Sequence, residues 1–193
     1  MTGFVIATGR SGTTWMADAL RRCTDRDARH ESMRYTVGPS FARNGVEVNG
    51  NLWQQASIIR DTFPGVSIVH LVRDGRLVVR SALSNARRHD PHRTLEQTCR
   101  TWVARNERMI SEVHWSMRFR LEGLTTDFAT FQQAAGLLGA GRVDPVVWDR
   151  IRNVPRNVTA VKSVPPFAAW SNADRDRFWA ICGPVMETLR YGL

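Results

Sequence analysis

The sequence predicts an α/β three-layer sandwich, in which helices cover both faces of a central parallel sheet. An apolar, β-branched run, "GFVIAT", is followed by a glycine and then by "TTWMADALRRC", where Trp15, Ala19 and Leu20 have helical spacing. The pattern recurs further on, with a buried strand predicted over residues 66–72 and a helix through residues 77–83. Two such strand–loop–helix units favour parallel strands with helices packed across the sheet.

The second half of the chain adds further predicted elements. Residues 117–124 are predicted to form a third strand, and the helix after it begins at Thr126 or Asp127 and is stopped by glycines. Ser171 and Asp174 have the spacing of a capping box at the start of the last helix. Residues 36–51 and 141–166 are less regular, and we expect them to cover a ligand at the carboxyl ends of the strands.

Length, charge and cysteine content limit the class of protein. A chain of 193 residues predicts one domain over residues 1–193. The net charge of +9 favours anionic partners, which include a polyphosphate cofactor, nucleic acid, sulfated glycan and acidic lipid. The three cysteines are far apart and have no CxxC spacing, so neither a disulfide framework nor a zinc site is predicted. With no leader-like start and no run long enough for a membrane span, we expect a cytoplasmic protein.

The stretch "ATGRSGTTW" has the composition of a phosphate-binding loop. It does not fit the Walker A pattern, because no glycine lies five positions after Gly9 and no lysine is present. Gly9 and Gly12 are nevertheless expected to allow a tight backbone turn. The amides of residues 11–14 and the positive end of the next helix can then converge on a phosphate. Further donors to that phosphate are the side chains of Arg10, Ser11, Thr13 and Thr14.

The motif "GRSGTTW" resembles the 5′-phosphosulfate loop of sulfotransferases that use 3′-phosphoadenosine 5′-phosphosulfate (PAPS). Many cytosolic members have lysine where this chain has Arg10, whereas tyrosylprotein and numerous bacterial members have arginine. The resemblance implies a P-loop-type domain that binds PAPS. It assigns cofactor binding to Arg10, Ser11, Gly12, Thr13, Thr14 and Trp15.

A second motif, "LVRDGRLVVRSAL", resembles the 3′-phosphate motif of the same family. Arg73 ends the predicted strand and Ser81 follows eight residues later on the helix, an offset that brings both side chains to one rim. The chain departs from the family pattern at Gly75, where proline is frequent, and at Leu77, where aspartate is frequent. The alternative interpretations are a surface ion pair of Arg73 with Asp74 or a neighbouring residue, and a solvated Ser81 on the helix.

The resemblance implies transfer of a sulfuryl group from PAPS to an acceptor hydroxyl or amine, with in-line geometry and a general base. Arg10 is expected to stabilise the oxygen that bridges sulfur and the 5′-phosphate, and no metal is expected. Glu31, whose offset from Arg10 resembles that of the tyrosylprotein enzymes, and His30 are the candidate bases. Lys162, the sole lysine, and more weakly Arg156 are candidates for binding the 3′-phosphate.

Three other functions stay open at this point. Asp74 follows a buried strand as a magnesium-binding aspartate does, which indicates a metal-dependent nucleotide kinase or hydrolase. The net charge and the arginine pairs 21/22 and 87/88 are compatible with a nucleic-acid-binding module. The sequence has no zinc finger, RRM signature or homeodomain-like helix, however, and nucleic acid is not an expected partner. The third is a degenerate protein with the sulfotransferase fold that binds ligands but does not catalyse a reaction. The acceptor (glycan, lipid, peptide or secondary metabolite) and the oligomeric state are undetermined.

Three of the other histidines lie outside these motifs, namely His70, His89 and His92. His70 is within an apolar strand, where a packed and hydrogen-bonded histidine is expected rather than a catalytic one. His89 and His92 belong to the charged stretch "ARRHDPHR", which predicts a solvated surface.

Overall fold

Five parallel strands form the central sheet. The computed structural model describes residues 3–33, 45–155 and 163–192. Within them the strands are β1 (Gly3–Ala7), β2 (Asp27–His30), β3 (Gly45–Asn49), β4 (Ser67–Val72) and β5 (Arg118–Arg120). Their spatial order is β2-β3-β1-β4-β5.

Strand β1 is central and fixes where a ligand can bind. It pairs with β3 on one side, with Ile6 opposite Asn49, and with β4 on the other, with Ile6 opposite His70. The chain therefore builds the sheet first to one side of β1 and then to the other. Loops that leave adjacent strands in opposite directions open a crevice at the carboxyl ends of those strands, which is where open α/β sheets bind ligands.

Helices cover both faces of the sheet, which confirms the predicted three-layer architecture. Val5 and Ala7 of β1 pack into one core, and Phe4 and Ile6 pack into a second core on the opposite face. A third core lies between helices that cover the second face. The helices are α1 (Thr13–Cys23), α2 (Ala56–Thr62), α3 (Gly75–Ala86), α4 (Leu95–Glu112), α5 (Leu121–Thr126), α6 (Phe128–Leu137), α7 (Pro145–Ile151) and α8 (Asn172–Thr188).

Two predicted helix starts are confirmed by their caps. Asp127 precedes α6 and its carboxylate accepts hydrogen bonds from the amides of Ala129 and Thr130. Ser171 precedes α8 and its hydroxyl oxygen accepts from the amide of Asp174 at 3.1 Å. In both cases a short polar side chain satisfies amides that the helix itself leaves without partners.

The prediction of a strand over residues 117–124 is wrong for its second half. Only Arg118–Arg120 is extended, and the chain then turns into α5. Strand β5 lies at the sheet edge and pairs with β4 alone. Few strand–strand hydrogen bonds therefore favour an extended conformation over a helix in the residues that follow. Glu122 lies in the first turn of α5, where the positive end of the helix favours a carboxylate.

The two segments expected to be irregular also contain regular structure. Residues 45–49 form the buried strand β3, because Val46 and Val48 pack into the core while the polar side chains between and after them are hydrogen-bonded. Residues 145–151 form α7, which Asp144 caps and Pro145 begins. Residues 34–44 and 156–162 lie outside the described part of the chain. Among the described helices, none is long and apolar enough to cross a bilayer.

Candidate anion-binding site

An open cleft of about 600 Å³ lies at the carboxyl ends of β1, β2 and β4. The loop after β1, the end of β2 and the turn between β4 and α3 form its walls. It brings together most of the residues that the sequence assigned to a site. These are Arg10, Gly12, Thr13, Thr14, Trp15, His30, Glu31, Arg73 and Ser81.

The tight turn of the first loop depends on Gly12. Its φ of 93° is left-handed, and a Cβ at this position would lie 2.6 Å from Cδ2 of Leu121. Arg10 is also left-handed, with a φ of 73°, which is strained for a residue with a side chain. Gly9 has neither constraint, since a Cβ there meets no described atom within 4 Å. The conformation of the loop therefore requires glycine at position 12 and shows no such requirement at position 9.

The loop leads directly into α1, whose positive end faces the cleft. The helix begins at Thr13, and the amide of Met16 donates to the carbonyl of Gly12 at 2.9 Å. Because Gly12, the N-cap residue, has no side chain, it cannot satisfy the first-turn amides as serine or aspartate would. Those amides and the helix dipole favour an anion at this position.

The two predicted phosphate motifs contact each other. Nε of Arg10 donates to Oγ of Ser81 at 2.9 Å, and Nη1 of Arg73 donates to the carbonyl of Arg10 at 3.1 Å. Asp74 is not the partner of Arg73, because its carboxylate caps α3 and pairs with Arg76 at 2.7 Å. The contacts do not support the alternative interpretation of Arg73 as an ion pair with Asp74.

Positive charge is concentrated in the cleft. Burial lowers the pKa of Arg10, and repulsion from Arg73 and Arg88 lowers it further. Nε of Arg73 is buried and has no hydrogen-bond partner in the described part of the chain. An anion in the cleft would offset the repulsion and could accept from that orphaned nitrogen. The cleft therefore fits a ligand with two anionic groups, one at the start of α1 and one near Arg73 and Ser81.

Two titratable side chains stand at the end of β2. Nε2 of His30 lies 2.9 Å from Oγ1 of Thr13 and 3.4 Å from Oγ1 of Thr14. Oε1 of Glu31 lies 3.8 Å from the same nitrogen, and the amide of Glu31 donates to the carbonyl of Val48 at 3.0 Å. Both side chains are partly exposed and line the cleft beside the phosphate loop. Either one can accept a proton from a hydroxyl that enters there.

A buried carboxylate supports this corner of the site. Glu47 on β3 is fully buried, and its oxygens accept from the hydroxyl of Ser32, the amide of Met33 and the side-chain amide of Asn49. These bonds hold the chain directly after Glu31, whose φ of 51° is left-handed. Glu47 was not among the predicted site residues, although an acidic residue between two valines in "GVEVN" is an unusual pattern.

Several predicted residues do not contribute as expected. The hydroxyl of Ser11 is buried, lies 2.7 Å from Oγ1 of Thr8 and is not part of the cleft lining. Trp15 lines the cleft, but its ring packs in the core and its Nε1 donates to the carbonyl of Ile151. Arg156 and Lys162 lie outside the described residues.

The structure separates the other histidines from the cleft. His70 is fully buried as expected, but neither ring nitrogen has hydrogen-bond geometry to any described residue, so the expected hydrogen bond is not found. Burial first, and then repulsion from Arg118, lower the pKa of His70 to about 3, although Asn106 acts in the opposite direction. His89 and His92 are exposed, which confirms the predicted solvated surface.

The cleft also contains residues that the sequence analysis did not identify. Arg80 and Arg152 line its wall, where Arg152 pairs with Asp149 at 2.8 Å and Nε of Arg80 donates to the carbonyl of Val164. Arg80 immediately precedes Ser81 and lies within the second motif, so its presence near the site could have been predicted from that motif. Arg152 lies in a segment that had been expected to be irregular. Leu77, one of the two departures from the family pattern, lines the cleft as well. At the other, Gly75, a Cβ would lie 2.8 Å from both Met186 and Trp102, so a larger residue would not fit.

Comparisons with known proteins add no assignment: no protein-family model matches the chain, and no curated protein matches it significantly. Among the described residues, no group of three or more His, Cys, Asp or Glu side chains could hold a metal ion. The cleft itself combines a helix N-terminus, clustered arginines and a His–Glu pair.

Proposed function

We propose that the protein is a sulfotransferase that moves a sulfuryl group from PAPS to an acceptor hydroxyl or amine. The observation that carries the proposal is the contact between the two phosphate motifs, in which Arg10 donates to Ser81 and Arg73 donates to Arg10. This contact joins two anion positions into one site. PAPS has a phosphosulfate on its 5′ side and a phosphate on its 3′ side, and so requires two such positions.

The chain's own residues would divide the work by position. The start of α1 and the Arg10 guanidinium bind the 5′ group and stabilise the charge that develops on the bridging oxygen. Arg73 and Ser81 bind the 3′-phosphate, and the buried Nε of Arg73 supplies a donor for it. PAPS supplies the electrophilic sulfur when it is bound.

Glu31, with His30 beside it, would take the acceptor proton. The acceptor oxygen or nitrogen forms a bond to sulfur while the bond from sulfur to the 5′-phosphate oxygen breaks, and adenosine 3′,5′-bisphosphate leaves with that electron pair. We assign the proton to Glu31 and a supporting role to His30, whose Nε2 is already close to Thr13 and Thr14.

Substitution of Arg73 tests the assignment of the 3′-phosphate position. Arg73→Ala is expected to weaken binding of adenosine 3′,5′-bisphosphate about 10- to 100-fold, because a charge-assisted hydrogen bond is lost. Arg100→Ala is the matched control, since it removes the same charge from an exposed pair with Glu96 on α4. Calorimetric titration of both variants measures the difference. An affinity that is equal in the two variants would overturn the role of Arg73.

The same titration separates the alternatives. A metal-dependent kinase or hydrolase would bind ATP with Mg²⁺ in preference to the bisphosphate. The contacts of Asp74, which caps α3 and pairs with Arg76, speak against its use as a magnesium ligand. A nucleic-acid-binding module would instead bind duplexes in a strongly salt-dependent way and would not bind the bisphosphate.

A further inference from the structure

Glu122 joins the turn after Arg73 to the segment that follows α8. Its Oε1 accepts from the amide of Asp74 at 3.3 Å, and its Oε2 accepts from the hydroxyl of Tyr191 at 2.5 Å. Neither Glu122 nor Tyr191 lines the cleft. We call this pair the Glu122–Tyr191 clasp. It holds the residue that directly follows Arg73, although it does not reach the ligand space itself.

The first turn of α5 touches both anion-binding elements. Leu121 packs against Gly12 of the first loop, where a Cβ would be only 2.6 Å from its Cδ2. Its neighbour Glu122 holds the Asp74 amide in the second motif. The position of this one turn therefore affects the spacing between the start of α1 and the Arg73 side chain.

Burial, a backbone hydrogen bond and a contact with Arg120 restrict the position of Tyr191 in the clasp. It is buried, and its amide donates to the carbonyl of Met186 at 2.8 Å. The guanidinium of Arg120 lies over its ring at 5.1 Å and also donates to the carbonyl of Arg190. Burial first, and then the hydrogen bond to Glu122, raise the pKa of Tyr191, so the phenol keeps its proton as a donor.

We propose that the Glu122–Tyr191 clasp is a positioning device that aligns Arg73 and thereby selects ligands with a phosphate at the 3′ position. This inference rests on the proposed function, because it concerns the same two anion positions. Without the tyrosine hydroxyl, Glu122 has a free oxygen that can turn toward the neighbouring Arg120 or solvent. The Asp74 amide then loses a fixed acceptor, and Arg73 loses its orientation.

The test compares two ligands that differ only in the 3′-phosphate. Tyr191→Phe removes the hydroxyl and keeps the ring, and Thr188→Val is the matched control because it removes a hydroxyl bond to Pro184 at the nearby end of α8. Adenosine 3′,5′-bisphosphate and adenosine 5′-monophosphate are titrated calorimetrically into each protein. Tyr191→Phe is expected to weaken binding of the bisphosphate about tenfold, which is the effect of losing one hydrogen bond to a charged group. Binding of the monophosphate is expected to stay unchanged. Thr188→Val is expected to change neither.

A double-mutant cycle with Arg73→Ala shows whether the clasp acts through Arg73. In that background Tyr191→Phe is expected to cause no further loss, because the group that the clasp aligns is already absent. Glu122→Gln, which keeps one carbonyl oxygen as an acceptor, is a second variant and is expected to weaken the bisphosphate in the same direction. Thermal unfolding of each variant is recorded beside the titrations.

The outcomes separate this inference from the proposed function. A wild-type protein that does not prefer the bisphosphate to the monophosphate overturns both. A wild-type preference that Tyr191→Phe and Glu122→Gln leave intact overturns the clasp alone. Equal losses for the two ligands, or a full tenfold loss that persists beside Arg73→Ala, also overturn it, because either result indicates a general structural role.

Discussion

Gly12→Ala tests the geometry of the anion-binding loop. A Cβ in the left-handed conformation with φ 93° costs about 1–2 kcal/mol. The new methyl group would also lie 2.6 and 2.9 Å from the two methyl carbons of Leu121. Leu121 is half-buried and borders the cleft, so it can move and keep the packing cost near the lower end of the usual range, about 1 kcal/mol.

The gain from a stiffer unfolded chain, about 0.4–1 kcal/mol, is subtracted from these costs, so we expect Gly12→Ala to lower the free energy of unfolding by about 1–2.5 kcal/mol. Gly9→Ala is the matched control, because it makes the same chemical change three residues earlier, without a left-handed φ and with no described atom within 4 Å. It is expected to change stability by less than about 1 kcal/mol.

Urea denaturation followed by circular dichroism measures both variants. The reasoning requires a clear difference between them with similar dependence on urea concentration. Equal stability of Gly12→Ala and Gly9→Ala would refute it, since the left-handed turn and the Leu121 contact would then have no energetic consequence. The displaced Leu121 is also expected to enter the cleft and weaken bisphosphate binding.

Three further predictions concern the neighbouring residues. The folded-state pKa of His70 is about 3, against 6.5 for a free histidine. As the pH falls from 6.5 toward 3, the unfolded chain binds a proton at His70 that the folded chain does not bind, so the free energy of unfolding decreases. Urea unfolding at about pH 7.5 and about pH 5 should show a loss that is about 2 kcal/mol larger in the wild type than in His70→Gln, and equal losses would contradict the lowered pKa. Ser81→Ala should weaken bisphosphate binding roughly five- to tenfold in a calorimetric titration while stability changes by less than about 1 kcal/mol, whereas unchanged affinity would remove Ser81 from the site. Glu31→Gln should leave bisphosphate affinity intact and lower turnover about 100-fold or more in a sulfate-transfer assay, and a larger effect of His30→Gln would identify His30 as the base.

Local signals explain which elements could be predicted from the sequence. The strands at residues 3–7 and 67–72 and the helices after them follow from predominantly apolar runs and helical periodicity. The starts of α6 and α8 follow from Asp127 and Ser171, because caps act within one turn of the chain. Each of these features is determined by neighbours in sequence.

Tertiary contacts explain the elements that were missed. Strand β3 contains Glu47 and Asn49, which can be buried only because they bond to each other and to the segment after β2. No local pattern indicates those partners, so the stretch resembled a polar loop. Strand β2, "DARH", is short and exposed at three of its four positions, and its extended form depends on pairing with β3.

The same distinction applies to the cleft. Arg10 and Arg73 each follow a predicted strand, and they contact each other because β1 and β4 are adjacent in the parallel sheet. The inward rotation of the Ser11 hydroxyl depends on Thr8 and could not be foreseen from composition. The contribution of Arg152 depends on how α7 packs, which a prediction of irregular chain could not supply.

The most direct test of the proposed function is calorimetric titration of the wild-type protein with adenosine 3′,5′-bisphosphate, beside adenosine 5′-monophosphate and ATP with Mg²⁺. If the cleft binds PAPS, the bisphosphate will bind most tightly, and addition of Mg²⁺ will not be required. Preference for ATP with Mg²⁺, or no binding of the bisphosphate, would contradict the assignment of the two anion positions and the sulfotransferase proposal with it.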